Sequence, residues 1–180
     1  MSRAMVPGVA ALLIACGEDV TAPDRSGSMS FTYHGALAAS PSGAFSVQGG
    51  RNSYPSGAGG EKSPEGVRIV GSLGQGAQEF SISVLGTMVV GTLPTCENVS
   101  APPTPCVYFG YFSASRQSTY IFGSGGLAAD GQMRVTIMDL TATRVRGTFE
   151  GTALGTCGEC NSTAVDTATI SGGEFDVPYR

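Results

Sequence analysis

The side chains with chemistry to offer are few: five cysteines, one histidine and fourteen acids in 180 residues. The cysteines are the most ordered by spacing. Cys16 closes the run Leu12-Leu13-Ile14-Ala15-Cys16, a short apolar stretch ending in a small residue and then a thiol. Cys96 and Cys106 flank a segment with prolines at 102, 103 and 105, and Cys157-Gly158-Glu159-Cys160 is a compact C-x-x-C. A thiol can be acylated or alkylated, can bind a metal, or can form half of a disulfide, and its surroundings decide which.

Setting Cys16 apart leaves an even set of four cysteines. Four thiolates suit a structural zinc site, but in an oxidising compartment two disulfides are the expected outcome. A redox C-x-x-C of the thioredoxin kind opens a helix within a βαβ unit, whereas here the motif lies between expected strands. Of the three possible pairings, the spacing favours Cys96–Cys106 with Cys157–Cys160. The ends of a four-residue turn lie within roughly 7 Å, a span that a disulfide can bridge. The proline-rich segment reads as a closed surface loop. The rival pairing joins the two loops, because four expected strands between Cys106 and Cys157 would return the chain to the same end of a sandwich.

Other catalytic sets are thin. A serine hydrolase needs a base held by a carboxylate beside an activated serine, and Gly-x-Ser-x-Gly does not occur. His34 reads as a strand residue; a hydrolase built on His34 or on surface carboxylates such as Asp139, Glu150 and Asp176 is the alternative. The segment from Tyr108 to Phe122 carries six aromatics, a possible platform for sugars or proteins. Its alternation sends at least half of them to a core, and the chain has no tryptophan, the largest stacking surface. Neither a cofactor nor a metal site is expected. Lys and Arg number ten and form no run, so a nucleic-acid partner is not expected either.

The elements that must position these residues are strands. Charged residues are 13% of the chain, against roughly 25% in ordinary soluble proteins, and Gly, Ser and Thr fill the gap. From Met29 the apolar residues recur with period two. Met29–Tyr33 and Ala44–Val47 suggest a first hairpin. Val67–Leu73 and Glu79–Leu85 follow, the latter with Phe80, Ile82 and Val84 inward and Ser81 and Ser83 toward water. Met88-Val89-Val90 ends that block. Val107–Phe112 and Ser118–Phe122 make a second hairpin, and Gln132–Leu140 another strand. In Ala142–Ala153, Val145, Gly147, Phe149, Gly151 and Ala153 share one face, with glycines that suggest close approach of another layer or a bend. Val165–Ile170 and Glu174–Val177 form the last strand, with a bulge at Gly172-Gly173. Gly49–Gly66 is low in complexity and reads as a disordered loop. The expectation is an all-β fold: an antiparallel β-sandwich of about eight or nine strands, with a flattened β-barrel as runner-up.

Met5–Ile14 is too short to span a bilayer, which takes about 20 helical residues. With Arg3 before it, the segment reads as a secretion signal. Leu13, Ala15, Cys16 and Gly17 resemble the cleavage and lipidation site of bacterial lipoproteins. The resemblance implies diacylglycerol on the Cys16 sulfur and an acyl chain such as palmitate on its amine. It also implies a bacterial cell-envelope location, outer membrane facing the periplasm or the cell surface. Loss of 1–15 with Arg3 takes the formal charge from −4 to −5. Residues 16–28 then form a lipidated tether and 29–180 a single β-domain.

The run Arg146-Gly147-Thr148-Phe149-Glu150-Gly151-Thr152-Ala153, followed by Ile170-Ser171-Gly172-Gly173-Glu174-Phe175-Asp176-Val177-Pro178, is similar to the end of many small uncharacterised bacterial lipoproteins. Their pattern is a Gly-Thr-Phe strand and then a Gly-x-Phe-x-Val-Pro strand. The resemblance implies a strand pair and no catalytic residue. The function expected is that of a membrane-anchored, non-enzymatic domain binding an envelope protein or glycan, or serving the envelope structurally.

Overall fold

The computed structural model describes residues 26–35, 42–50, 56–74, 76–96, 105–113, 118–122, 133–155 and 166–179. Among them lie eleven strands and no helix. They are β1 (Gly27–Gly35), β2 (Ser42–Gly49), β3 (Ser56–Ser63), β4 (Gly66–Leu73), β5 (Gln78–Leu85), β6 (Gly91–Leu93), β7 (Cys106–Ser113), β8 (Ser118–Phe122), β9 (Met133–Leu140), β10 (Arg144–Gly155) and β11 (Asp166–Pro178). A six-stranded sheet has the order β2-β1-β11-β10-β9-β6, and a five-stranded sheet the order β3-β4-β5-β7-β8. Pairing within both is antiparallel. The sheets pack face to face as a β-sandwich, not a closed barrel.

The period-two pattern explains the core. Inward residues of β1, β2, β5, β7, β10 and β11 bring Phe31, Phe45, Phe80, Phe109, Phe149 and Phe175 into one buried cluster. Phe31 is its hub, with ring centroids 5.0 Å from Phe45, 4.7 Å from Phe80 and 5.6 Å from Phe149. Phe80 comes from the opposite sheet and stacks on Phe149 at 5.2 Å. Offset ring contacts of this kind add about 1 kcal/mol each beyond simple burial.

β3 runs across the ends of the six-stranded sheet, meeting one strand after another. A Cβ on Gly27, at the start of β1, would lie 2.5 Å from the Ala58 carbonyl oxygen. Gly60 forms a parallel bridge to Tyr179, just past β11. Lys62 reaches the Ala142 carbonyl between β9 and β10.

Several expectations need correction. The described residues make eleven strands, where about eight or nine were expected, because two were hidden. β3 lies inside the segment expected to be a disordered loop. Its sequence, Ser56-Gly57-Ala58-Gly59-Gly60-Glu61-Lys62-Ser63, offers little alternation to read, yet small residues are what the crossing requires. A Cβ on Gly60 would sit 2.6 Å from that of Tyr179. The second hidden strand, β6, has three residues and pairs only with Ile137, Thr136 and Val135 of β9.

Ser81 and Ser83 do not face open water; each is only 8% exposed. Arg68 and Glu79 stand in the rows on either side of the Val70–Ser81 pair and close over it with a 2.7 Å ion pair. β1 starts at Gly27, two residues before the strand expected from Met29.

Gly147 of β10 and Gly173 of β11 accommodate rings from the same sheet rather than another layer, while Gly151 stands where the β10–β11 register shifts, in line with the bend that was the other expectation. A Cβ on Gly147 would meet Phe175 at 2.5 Å, and one on Gly173 would meet Phe149 at 2.6 Å. Gly147 is paired with Phe175 and Phe149 with Gly173. Each ring therefore lies over the glycine of the neighbouring strand, which covers backbone that would otherwise be bare. The bulge at Gly172 is present, with φ +59°, a left-handed value that glycine adopts at little cost. It shifts the buried set of β11 from Ala168 and Ile170 to Gly173, Phe175 and Val177.

Candidate functional site

The disulfide expected between Cys96 and Cys106 is formed, with Cα atoms 5.1 Å apart and both residues buried. It closes a strap between the sheets. Past β6, Thr95 pairs in parallel with Val107 of β7. The Cys96 N–H donates to the Val107 carbonyl and the Val107 N–H to the Pro94 carbonyl, both at 2.8 Å. The Thr95 hydroxyl donates to the Met133 carbonyl on β9 at 2.7 Å. One short segment thus bonds to both sheets. Cys16, Cys157 and Cys160 lie outside the described residues.

The opposite corner is closed by Tyr179. Its ring is buried, and its hydroxyl donates to the Thr141 carbonyl at 2.6 Å. Its N–H donates to the Thr143 carbonyl at 2.9 Å. Between these, the Lys62 ammonium donates to the Ala142 carbonyl at 3.2 Å and sits 4.5 Å over the Tyr179 ring. Three consecutive carbonyls of the β9–β10 turn are thereby satisfied from another element. Burial raises the Tyr179 pKa above its ordinary value of 10.0, because the phenolate would lose solvent.

The acid–base candidates do not converge. His34 is exposed near the end of β1, opposite Ser42 on one side and Thr169 on the other. The three acids lie on the outer face of the six-stranded sheet, each beside an arginine. Glu150 is opposite Arg134, Asp139 is opposite Arg146, and Asp176 is ion-paired with Arg144 at 2.5 Å. No three of His, Cys, Asp and Glu gather as metal ligands among the described residues. The aromatic hairpin divides as its alternation requires: Phe109 and Tyr111 are buried, while Tyr108 is 37% exposed on the outer face. The side chains of Phe112, Tyr120 and Phe122 lie outside the described residues.

Sequence reasoning missed the segment that joins β5 to β6. Met88-Val89-Val90 reads as one apolar strand end, yet the structure splits it. Met88 is buried in the core, whereas Val89 and Val90 are 45% and 62% exposed. The segment is held at both ends. The Gly86 N–H donates to the Glu65 carbonyl at 2.7 Å, and Gly91 pairs with Ile137. Val90 precedes that pair on its segment, and Met138, one residue past Ile137 on β9, is 53% exposed where the β9–β10 register slips. The signal for it was the absence of any charge from Phe80 to Cys96.

The chain matches no family model, no curated protein and no solved structure.

Proposed function

We propose that this chain is a bacterial envelope lipoprotein, held in a membrane by lipid on Cys16, whose β-domain acts by binding or as a structural part rather than by catalysis. The observation that carries the reading is the run Leu12-Leu13-Ile14-Ala15-Cys16. Ten positions separate Cys16 from Ser26, where the described chain begins, enough for a tether and too few for another domain. A disulfide between Cys96 and Cys106 supports an oxidising compartment. The pairing of Glu150, Asp139 and Asp176 with arginines favours a structural use of those acids over general acid–base work. The partner on this reading is an envelope protein or a glycan, besides the membrane itself. Cys157 and Cys160 form the second disulfide.

Cys16→Ala tests the anchor. Palmitate labelling should disappear and the protein should leave the membrane fraction; a variant that stays bound through detergent-free washes sinks the reading. Non-reducing peptide mapping tests the second disulfide, and a peptide linking Cys157 or Cys160 to any other cysteine would overturn it.

A further inference from the structure

We infer that Val89, Val90 and Met138 form a membrane-resting face, by which the domain lies against the bilayer that holds its own lipid anchor. The inference rests on the lipoprotein reading and goes beyond it, because a lipid tether alone leaves the domain's orientation open.

Position comes first. Ser28, Asp176, Arg146 and Asp139 make one row across β1, β11, β10 and β9. Three strand spacings put Met138 about 14 Å to the side of the point where the chain leaves the sheet. The opposite end of the sheet is much further away. From Arg144 to Leu154, opposite Thr167, β10 extends about 33 Å. The ten steps of chain from Cys16 to Ser26 can span at most about 35 Å, and a flexible linker of that length averages about 18 Å. On average, then, the tether keeps this end of the six-stranded sheet nearest the lipid.

Chemistry comes second. Of the four large hydrophobic residues most exposed among those described, Val89, Val90 and Met138 lie at this end. Single exposed apolar side chains need no explanation, but here two adjacent valines, on a segment held by hydrogen bonds and by the buried Met88, lie at the same end of the sheet as Met138. The linking segment Gly86–Leu93 carries no charge. Moving it into the headgroup and acyl boundary therefore removes no ion from water, which is the main cost of such a transfer. Asp139, beside Met138, limits the depth to the interface. The contact is apolar, so it should persist at high salt.

The absence of tryptophan makes the test direct. Three single-tryptophan variants of the full lipidated chain, Val90→Trp, Met138→Trp and Thr167→Trp, are reconstituted into vesicles of phosphatidylethanolamine and phosphatidylglycerol. All three sites are exposed, so the fold should tolerate the ring. At positions 90 and 138 the emission should shift to the blue and fall by about half with acyl-brominated phospholipid, as for a side chain at the acyl boundary. At position 167 it should remain water-like and unquenched. If the protein floats with the vesicles while position 90 is quenched no more than position 167, the resting face is wrong and the anchor stands. If the protein does not float, the anchor reading falls and takes this inference with it. If emission from position 90 is already blue-shifted in the unlipidated Cys16→Ala protein, with a doubled mass by light scattering, the face belongs to a second copy and the inference is overturned.

Discussion

The two corners at which the sheets close solve one problem with different chemistry. Both use a parallel bridge between sheets that are otherwise antiparallel: Thr95 with Val107 at one corner, Gly60 with Tyr179 at the other. At the first, a disulfide fixes the crossing chain. At the second, one aromatic ring, one ammonium and three turn carbonyls do so without any covalent bond. The contrast teaches where each kind of fastening suits. The strap follows a strand of only three residues, too short to hold its own register. The Tyr179 corner follows β11, thirteen residues paired on both sides, and needs only a stop.

The largest effect expected on this comparison comes from Tyr179→Ala. It removes a buried ring and leaves the Thr141 and Lys62 partners unmet, at a cost of about 3–4 kcal/mol. Urea unfolding of the soluble Cys16→Ala protein measures it. A loss below about 1 kcal/mol would show that the corner is not a fastening at all.

Next is the double change Cys96→Ala with Cys106→Ala. Opening a loop of that size costs about 3 kcal/mol in the chain-entropy account. Reductant should destabilise the parent by at least as much and the double variant by less. Combining this change with Tyr179→Ala separates the corners. Residues far apart with no shared partner add to within about 0.5 kcal/mol, and a larger coupling would mean that the two corners act as one device.

Thr95→Val should cost about 1–2 kcal/mol through the hydrogen bond lost to the Met133 carbonyl. A cost this small appears only if the disulfide keeps the strap in place; in the background carrying Cys96→Ala and Cys106→Ala the same change should cost more.

The smallest effect is pH-dependent. The folded-state pKa of Tyr179 is raised, so the fold favours the neutral phenol. Its contribution is complete below the unfolded value, near 10, and is lost as pH rises through the higher folded value. Stability of the parent should therefore fall more steeply above pH 10 than that of Tyr179→Phe, whose ring cannot ionise. Equal alkaline slopes in urea unfolding would remove Tyr179 from the titration.

Much of this architecture was legible in the residues themselves. Phe80, Ile82 and Val84 alternate with small polar residues and are buried as expected. The Gly172 bulge, the β1–β2 and β7–β8 pairs and the Cys96–Cys106 bond were also readable, because each depends on neighbours close in sequence or on a residue type with one strong preference. The candidate resting face was only half legible. The uncharged run from Phe80 to Cys96 is in the sequence, but hydropathy alone cannot say that Met88 turns inward while Val89 and Val90 turn out.

By itself the sequence determined that this chain makes antiparallel strands around phenylalanines, since side-chain alternation is a local property of extended backbone. It also carries the Cys16 run from which the anchor is proposed. Only the tertiary structure decided that Ser56–Ser63 is a strand. Glycines have no side chain to alternate, and their use appears only when Tyr179 needs the space above Gly60. The tertiary structure likewise decided that β3 runs across strand ends of the other sheet, that an ion pair roofs Ser81, and that two valines stay in the open. Those outcomes depend on which surfaces meet across the core, and that is set by packing between segments far apart in the chain, such as Gly60 and Tyr179, rather than by any local pattern.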